Sequence, residues 1–214
     1  MKLLFMGVQG SGKGTQAKII SVKLGVPHIS TGDLLRGATQ ELKKEIDSYI
    51  AVGRLVPDEL MLRVLNARLL LEDCNGGFIL DGYPRNIVQA KKLDEITTID
   101  KVIEIVISDE EAFIRAIYRV TCSKCGEGYN TKTNSSKKIG ICDKCNGILT
   151  KRADDNEQAM LKRIEIYHKE TEPILKHYES VKVNGAQKIE LVSKDILMVL
   201  GLRINNFLET FYYF

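Results

Sequence analysis

The stretch Gly7-Val8-Gln9-Gly10-Ser11-Gly12-Lys13-Gly14-Thr15 constrains this chain more than any other. It follows a short apolar run, Lys2 to Met6. It precedes apolar residues at helical spacing from Lys13 to Leu24, with Gly25 as the stop. Glycines between a buried strand and a helix let the backbone curl until several N–H groups point inward. The helix N-terminus adds partial positive charge, and Lys13 adds a full one. Such a cradle, formed by Gly10, Ser11, Gly12, Lys13, Gly14 and Thr15, holds the β and γ phosphates of a nucleotide. The spacing fits G-x-x-x-x-G-K, with Gly14 where Ser or Thr is usual. The plain alternative is a glycine-rich turn. The strand before it and the helix after it favour the phosphate reading.

The remaining pattern extends this start into an α/β fold. His28-Ile29, Phe78 to Leu80, Val102 to Ile107 and Val181 to Val183 read as further strands. Asp58 to Leu71 behind Pro57 reads as a helix, as does Asn156 to Tyr178, bent or ended near Pro173. Strands alternating with helices predict a parallel sheet covered on both faces. Two stretches interrupt the rhythm and read as insertions, Ser30 to Val56 and Tyr118 to Asp155. A core of residues 1–29, 57–117 and 156–214 remains. At its end Leu202, Ile204, Phe207, Leu208 and Phe211 form a loosely helical pattern.

Composition excludes some classes. At 214 residues with 44% hydrophobic and 28% charged residues, the chain can bury a real core. A net charge of +3 is too small to argue for nucleic acid and suits small anionic substrates. No apolar run approaches the roughly 20 residues of a membrane helix. Glycines and Lys13 interrupt the N-terminal apolar run too early for an export signal, so a cytoplasmic location is expected.

Four of the five cysteines form C-x2-C-x16-C-x2-C: Cys122, Cys125, Cys142 and Cys145. That spacing points to a tetrahedral structural zinc with all four positions filled. The insertion is too short and polar for its own core, and a metal would substitute for one. Two disulfides are the alternative, disfavoured in a chain without an export signal. Cys74 stands apart as a small apolar residue. A zinc ribbon that binds nucleic acid would need a basic, aromatic-rich face, and Tyr129 is the only aromatic between the two pairs.

Asp81-Gly82-Tyr83-Pro84-Arg85 follows the strand at Phe78 to Leu80. A carboxylate at a strand end beside a phosphate loop can hold Mg²⁺ through its water shell. Arg85 can grip phosphate with its planar fork. On residue types alone, Ser30-Thr31-Gly32-Asp33 is an ordinary helix N-cap.

The loop resembles that of the adenylate kinase family, GxPGxGKGTQ, matched here by Gly10, Gly12, Lys13, Gly14, Thr15 and Gln16, with Gln9 in place of the proline. The family's DGFPR becomes Asp81-Gly82-Tyr83-Pro84-Arg85, and the resemblance runs from Lys2 to about Leu200. It implies a P-loop three-layer fold with a five-stranded parallel sheet, a helical monophosphate-binding subdomain at 30–56 and a zinc-ribbon-like lid at 118–155. By the same resemblance, Thr31 contacts the acceptor adenine, Arg36 holds the AMP phosphate and Gln89 reads the AMP base. Arg54, Leu55 and Val56 line the acceptor together with Gly82, Tyr83 and Pro84. Arg119 packs on the ATP base side, Gly128 and Tyr129 lie over the donor, and Gln187 meets its adenine through a backbone carbonyl. Lys13, Arg85, Arg119, Arg152 and Arg163 surround the transferring phosphate, and Arg85, Arg152 and Arg163 also reach AMP. Where the family has Gly-Arg-Arg this chain has Tyr118-Arg119-Val120. The implied activity is phosphoryl transfer from Mg·ATP to AMP by a monomer with Mg²⁺ and Zn²⁺, free of nucleic acid and membrane. A kinase of other base preference, or one using GTP as donor, is the alternative.

Overall fold

The structure is a computed structural model that describes residues 1–38, 43–44, 46, 48–49, 56–152 and 155–202. Five parallel strands form its centre, in the order β2-β3-β1-β4-β8: His28–Ser30, Phe78–Asp81, Lys2–Met6, Lys101–Val106 and Ser180–Asn184. The register is continuous, with Leu4 opposite Leu80 on one side and Val102 on the other.

The central strand shows why the sheet is covered twice. Side chains alternate along a strand, so Leu3 and Phe5 point to one face, with Ala17, Ile20, Val192 and Ile196. Leu4 and Met6 point to the other, with Leu65, Leu80, Leu93 and Ile174. Leu3, Leu4 and Ile79 are fully buried. Each such side chain contributes roughly 1.5–3 kcal/mol by leaving water. Helix α1 (Lys13–Leu24) and the late helix Ile189–Val199 cover one face, while Asp58–Leu69 and Ile87–Ile96 cover the other.

Several boundaries differ from the sequence expectation. The helix from Asp58 ends at Leu69, and Glu72–Cys74 forms a separate 3-10 turn. There Arg68 donates to the Cys74 sulfur at 3.0 Å and pairs with Asp73. The expected long helix at 156–178 is three pieces: α-helix Glu157–Ile166, a π turn Tyr167–Thr171 and a 3-10 turn Glu172–Lys176. Pro173 sits in the first turn of that last piece, where its missing N–H costs nothing. Helices Ile87–Ile96, Asp109–Ile117 and Ile189–Val199 add to the elements expected from the sequence.

The two irregular stretches project from the sheet. The first opens with helix Thr31–Arg36, capped by Ser30, whose oxygen accepts from the Asp33 N–H. Residues 43–44, 46 and 48–49 are helical, and Ile46 is fully buried. The second carries a three-stranded antiparallel sheet, order β6-β5-β7: Gly128–Asn130, Arg119–Cys122 and Leu149–Thr150. Leu202 packs on the core, and the rest of the tail pattern lies outside the described residues. Among the described residues, no helix is long and apolar enough to cross a membrane.

Candidate active site

A cleft of about 1480 Å³ opens between the phosphate loop, the Thr31–Arg36 helix and the small antiparallel sheet. It lies at the carboxyl ends of the parallel strands, where open α/β sheets gather ligands.

The loop owes its shape to its glycines. Gly10 has φ of 93°, and a Cβ there would stand 2.4 Å from the Ala112 carbonyl oxygen. Helix α1 starts behind Gly12 with no side-chain cap and no acid in its first turn. Its leading N–H groups and partial positive charge are therefore left for an anion. Lys13 Nζ donates to the carbonyls of Gly7 at 2.6 Å and Val8 at 2.9 Å. Burial brings its ammonium down from 10.5 to about 8. Asp81 opposes that shift, and Arg85 and Arg119 add to it.

Asp81 faces this loop. Burial pushes its carboxyl up, but His28, Lys13 and Arg85 together hold it below the usual carboxylate range. A Cβ on Gly14 would come within 3.4 Å of Asp81 Oδ2, so the missing Ser/Thr side chain leaves room beside the acid. His28 Nε2 lies 3.6 Å from the same oxygen and is buried with no hydrogen-bond partner, as is Ser11 Oγ. A buried, ionised carboxylate beside an anion cradle suits a hydrated Mg²⁺.

The wall of the cleft around Thr31, Arg85 and Gln89 is tied together by hydrogen bonds. Thr31 Oγ1 donates to the Asp81 carbonyl at 3.3 Å. Arg85 Nε donates to the Gly82 carbonyl at 2.8 Å. Gln89 Oε1 accepts from the Arg85 N–H at 2.7 Å, and its Nε2 donates to Asp58 at 2.6 Å. One amide proton and one lone pair of Gln89 remain for a ligand. Arg36 pairs with Asp33. Val56 and Tyr83 are buried in the core, and both line the cleft, as does Pro84. Arg54 and Leu55 lie outside the described residues.

Arginines close the other side. Arg119 grips buried Asp155 at two points, and Arg163 approaches the same carboxylate at 3.9 Å. Arg152 is brought down to about 10 by burial and by the nearness of Arg119 and Arg36. Gly128, Tyr129 and Gln187 line the cleft, and Gln187 donates to Asp195 at 2.6 Å.

The four cysteines of the small sheet are free thiols whose sulfurs lie within 4.8 Å of one another. Cys122 and Cys145 are 3.4 Å apart, and Cys125 and Cys142 are 3.6 Å apart. Tetrahedral zinc, with sulfur at about 2.3 Å, sets sulfur–sulfur edges near 3.8 Å. The two knuckles share one bonding pattern. Gly126 and Asn146, both at positive φ, donate to the carbonyls of Cys122 and Cys142, whose own N–H groups reach Glu127 and Gly147. The set fits a metal ion and contains no disulfide.

Periodicity gave no signal for several supporting residues. Asp58, His28 and Thr171, which donates to the Arg85 carbonyl at 2.7 Å, acquire partners only through tertiary contact. Gln16 was visible in the loop motif, but its partners were not. Its amide bonds Ser193 and the Ile189 carbonyl, tying α1 to the last helix.

Residues 5–183 match the family model described as Adenylate kinase. The chain is 43% identical over 213 residues to an adenylate kinase of Acetivibrio thermocellus, covering 94% of this chain and 98% of that one. It is 40% identical to one of Caldicellulosiruptor saccharolyticus, over 94% of this chain and all of the relative. An adenylate kinase of Archaeoglobus fulgidus is 43% identical, with 94% and 98% covered.

Proposed function

The chain belongs to the adenylate kinase family, and from that premise we propose how its cleft carries out reversible phosphoryl transfer between ATP and AMP. The observation that carries the proposal is one shared space holding Lys13, Asp81, Arg36, Arg85, Arg119, Arg152 and Arg163. Two polyanions cannot approach each other in line unless fixed positive charge surrounds their junction.

The α1 N-terminus and Lys13 take the β and γ phosphates of ATP, and Lys13 exchanges its loop carbonyls for phosphate oxygens. The AMP base sits between Thr31 and Gln89, and Arg36 and Arg85 take its phosphate. Arg119, Arg152 and Arg163 neutralise the charge that develops on the moving group. Mg²⁺, held through water at Asp81, would screen charge on the donor phosphates. No side chain need act as a base, because positioning, charge and exclusion of water suffice.

Residues 30–56 serve as the acceptor subdomain and 118–155 as the lid that keeps water from the donor. The adenylate kinase lid is itself a standing example of such gating, so this step is carried by family membership rather than by geometry. Cys122, Cys125, Cys142 and Cys145 would hold Zn²⁺, which would fix the lid's shape. Four free thiols around a metal suit a reducing compartment, which supports a cytoplasmic enzyme. The net charge of +3 supports small anions over nucleic acid.

The deciding experiment mixes the purified protein with ATP, AMP and Mg²⁺ and measures ADP, alongside panels of other acceptors and donors. Rapid ADP formation with AMP preferred is expected. No ADP under these conditions would remove the proposal.

A further inference from the structure

Tyr129 spans the small sheet from the cleft to the cysteines. Its backbone belongs to the strand Gly128–Asn130, and it pairs with Val120 of the strand that ends in Cys122. The residue lines the cleft next to Gly128. Its hydroxyl reaches the opposite knuckle. The oxygen accepts from the Asp143 N–H at 2.9 Å and stands 3.5 Å from Cys142 Sγ. With that oxygen already accepting an N–H, and with sulfur in the thiolate form that metal binding requires, the phenol proton is the donor to Cys142.

The hydroxyl thus adds a side-chain tie between two knuckles that the backbone links only through the segment after Cys145, where the Ser123 N–H donates to the Ile148 carbonyl at 2.9 Å. The strand carrying Tyr129 continues from the first cysteine pair. The groups its hydroxyl holds, Cys142 and Asp143, open the second pair. Hydrogen bonds onto metal ligands orient them and tune affinity. A nucleotide that fixes the Tyr129 ring also fixes the donor to a metal ligand, and a filled metal site fixes the ring.

We infer that Tyr129 is a positioning residue that couples metal occupancy of the four-cysteine site to binding of the donor nucleotide, through its hydroxyl on Cys142. The inference rests on the proposed placement of the donor against the lid side of the cleft. Coupling of this kind is reciprocal. The metal raises affinity for ATP, and ATP raises affinity for the metal by the same factor.

The test is a thermodynamic cycle on the full chain. ATP affinity is measured by titration calorimetry for zinc-loaded and zinc-stripped protein, in the wild type and in Tyr129→Phe, with AMP as a control ligand. Zinc release into a chelating dye is timed with and without ATP. Wild-type protein is expected to bind ATP about tenfold more tightly with zinc than without, with AMP little changed. Tyr129→Phe is expected to release zinc about tenfold faster and to bind ATP with nearly equal affinity in both metal states. If Tyr129→Phe keeps the wild-type ratio, the lid as a whole carries the effect and the inference is overturned. Equal ATP affinity in the two wild-type states overturns it as well. Failure of zinc-loaded wild type to bind ATP at all would instead count against the proposed function. Circular dichroism of Tyr129→Phe confirms folding, and Tyr129→His, which restores a polar donor, serves as the second variant.

Discussion

Arg119 Nε stands 2.8 Å from one oxygen of Asp155 and Nη2 stands 2.6 Å from the other, with the carboxylate 1% exposed. This two-point pair joins the strand Arg119–Cys122 to the segment that follows the small antiparallel sheet. Removing one partner of a buried pair leaves the other charge without compensation, at a cost of about 3–5 kcal/mol. Asp155→Ala should therefore lower the melting temperature by on the order of 10 °C. Calorimetry checks this, and a shift under a degree or two would show that water already solvates the pair.

Lys13→Met should cut turnover on the order of a thousandfold with the fold retained, as loss of a preorganised charge at the transferring group does. The same substitution reads out the buried ammonium. Its value in the folded protein is about 8, against 10.5 for the free side chain. Between those two values the unfolded chain binds more protons, so stability rises with pH there. The burial penalty is fully present below pH 8 and is relieved above it. Wild type should gain about 2 kcal/mol relative to Lys13→Met between roughly pH 7.5 and 9.5 in urea titrations. A constant difference across that range would mean the ammonium is solvated.

Stripping the metal with a chelator should lower the melting temperature, while ADP formation continues at low temperature. Metal analysis of the starting protein should find about one zinc per chain, the number four thiolates hold. An unchanged melting curve after verified removal would contradict a structural role for the ion.

Gln16→Leu should cost about 1 kcal/mol, because it removes two buried hydrogen bonds while the Ser193 hydroxyl still donates to the Ile189 carbonyl at 3.0 Å. Ile189 adjoins the Gln187–Lys188 wall of the cleft, so the KM for ATP should rise while that for AMP holds. Equal changes in both constants would argue for general damage.

His168 bridges Asp109, at 3.0 Å from Nε2, and Glu172, at 2.7 Å from Nδ1. The Glu172 and Asp109 hydrogen bonds raise its pKa above 6.5. A raised folded value gives stability that is complete below 6.5 and lost as pH rises through the folded pKa. The melting temperature of wild type should fall more steeply above neutrality than that of His168→Gln. Parallel pH curves would place the imidazole outside the stability balance.

Two parts of this molecule are readable from the order of its residues alone. The phosphate loop is legible because its function lies in backbone shape, which glycine spacing encodes directly. The four-cysteine cluster is legible because two short Cys-x2-Cys pairs leave little freedom. What escapes is set by tertiary contact. The segment at 157–176 breaks into three helical forms, and Thr171, at the junction of the last two, donates to the Arg85 carbonyl at 2.7 Å. The helix Asp109–Ile117 does carry a signal, Ser108 three residues before Glu111, and the Ser108 oxygen accepts the Glu111 N–H at 3.2 Å. The role of Asp58 in orienting Gln89 across 31 positions has no local trace.

Lys13, tethered by the carbonyls of Gly7 and Val8, does not wait in the cleft as a bare cation. An arriving ligand must offer better oxygens than the ones the peptide already provides. Neutral solutes cannot win that contest and polyphosphates can, so the loop itself sorts its visitors before any base is read.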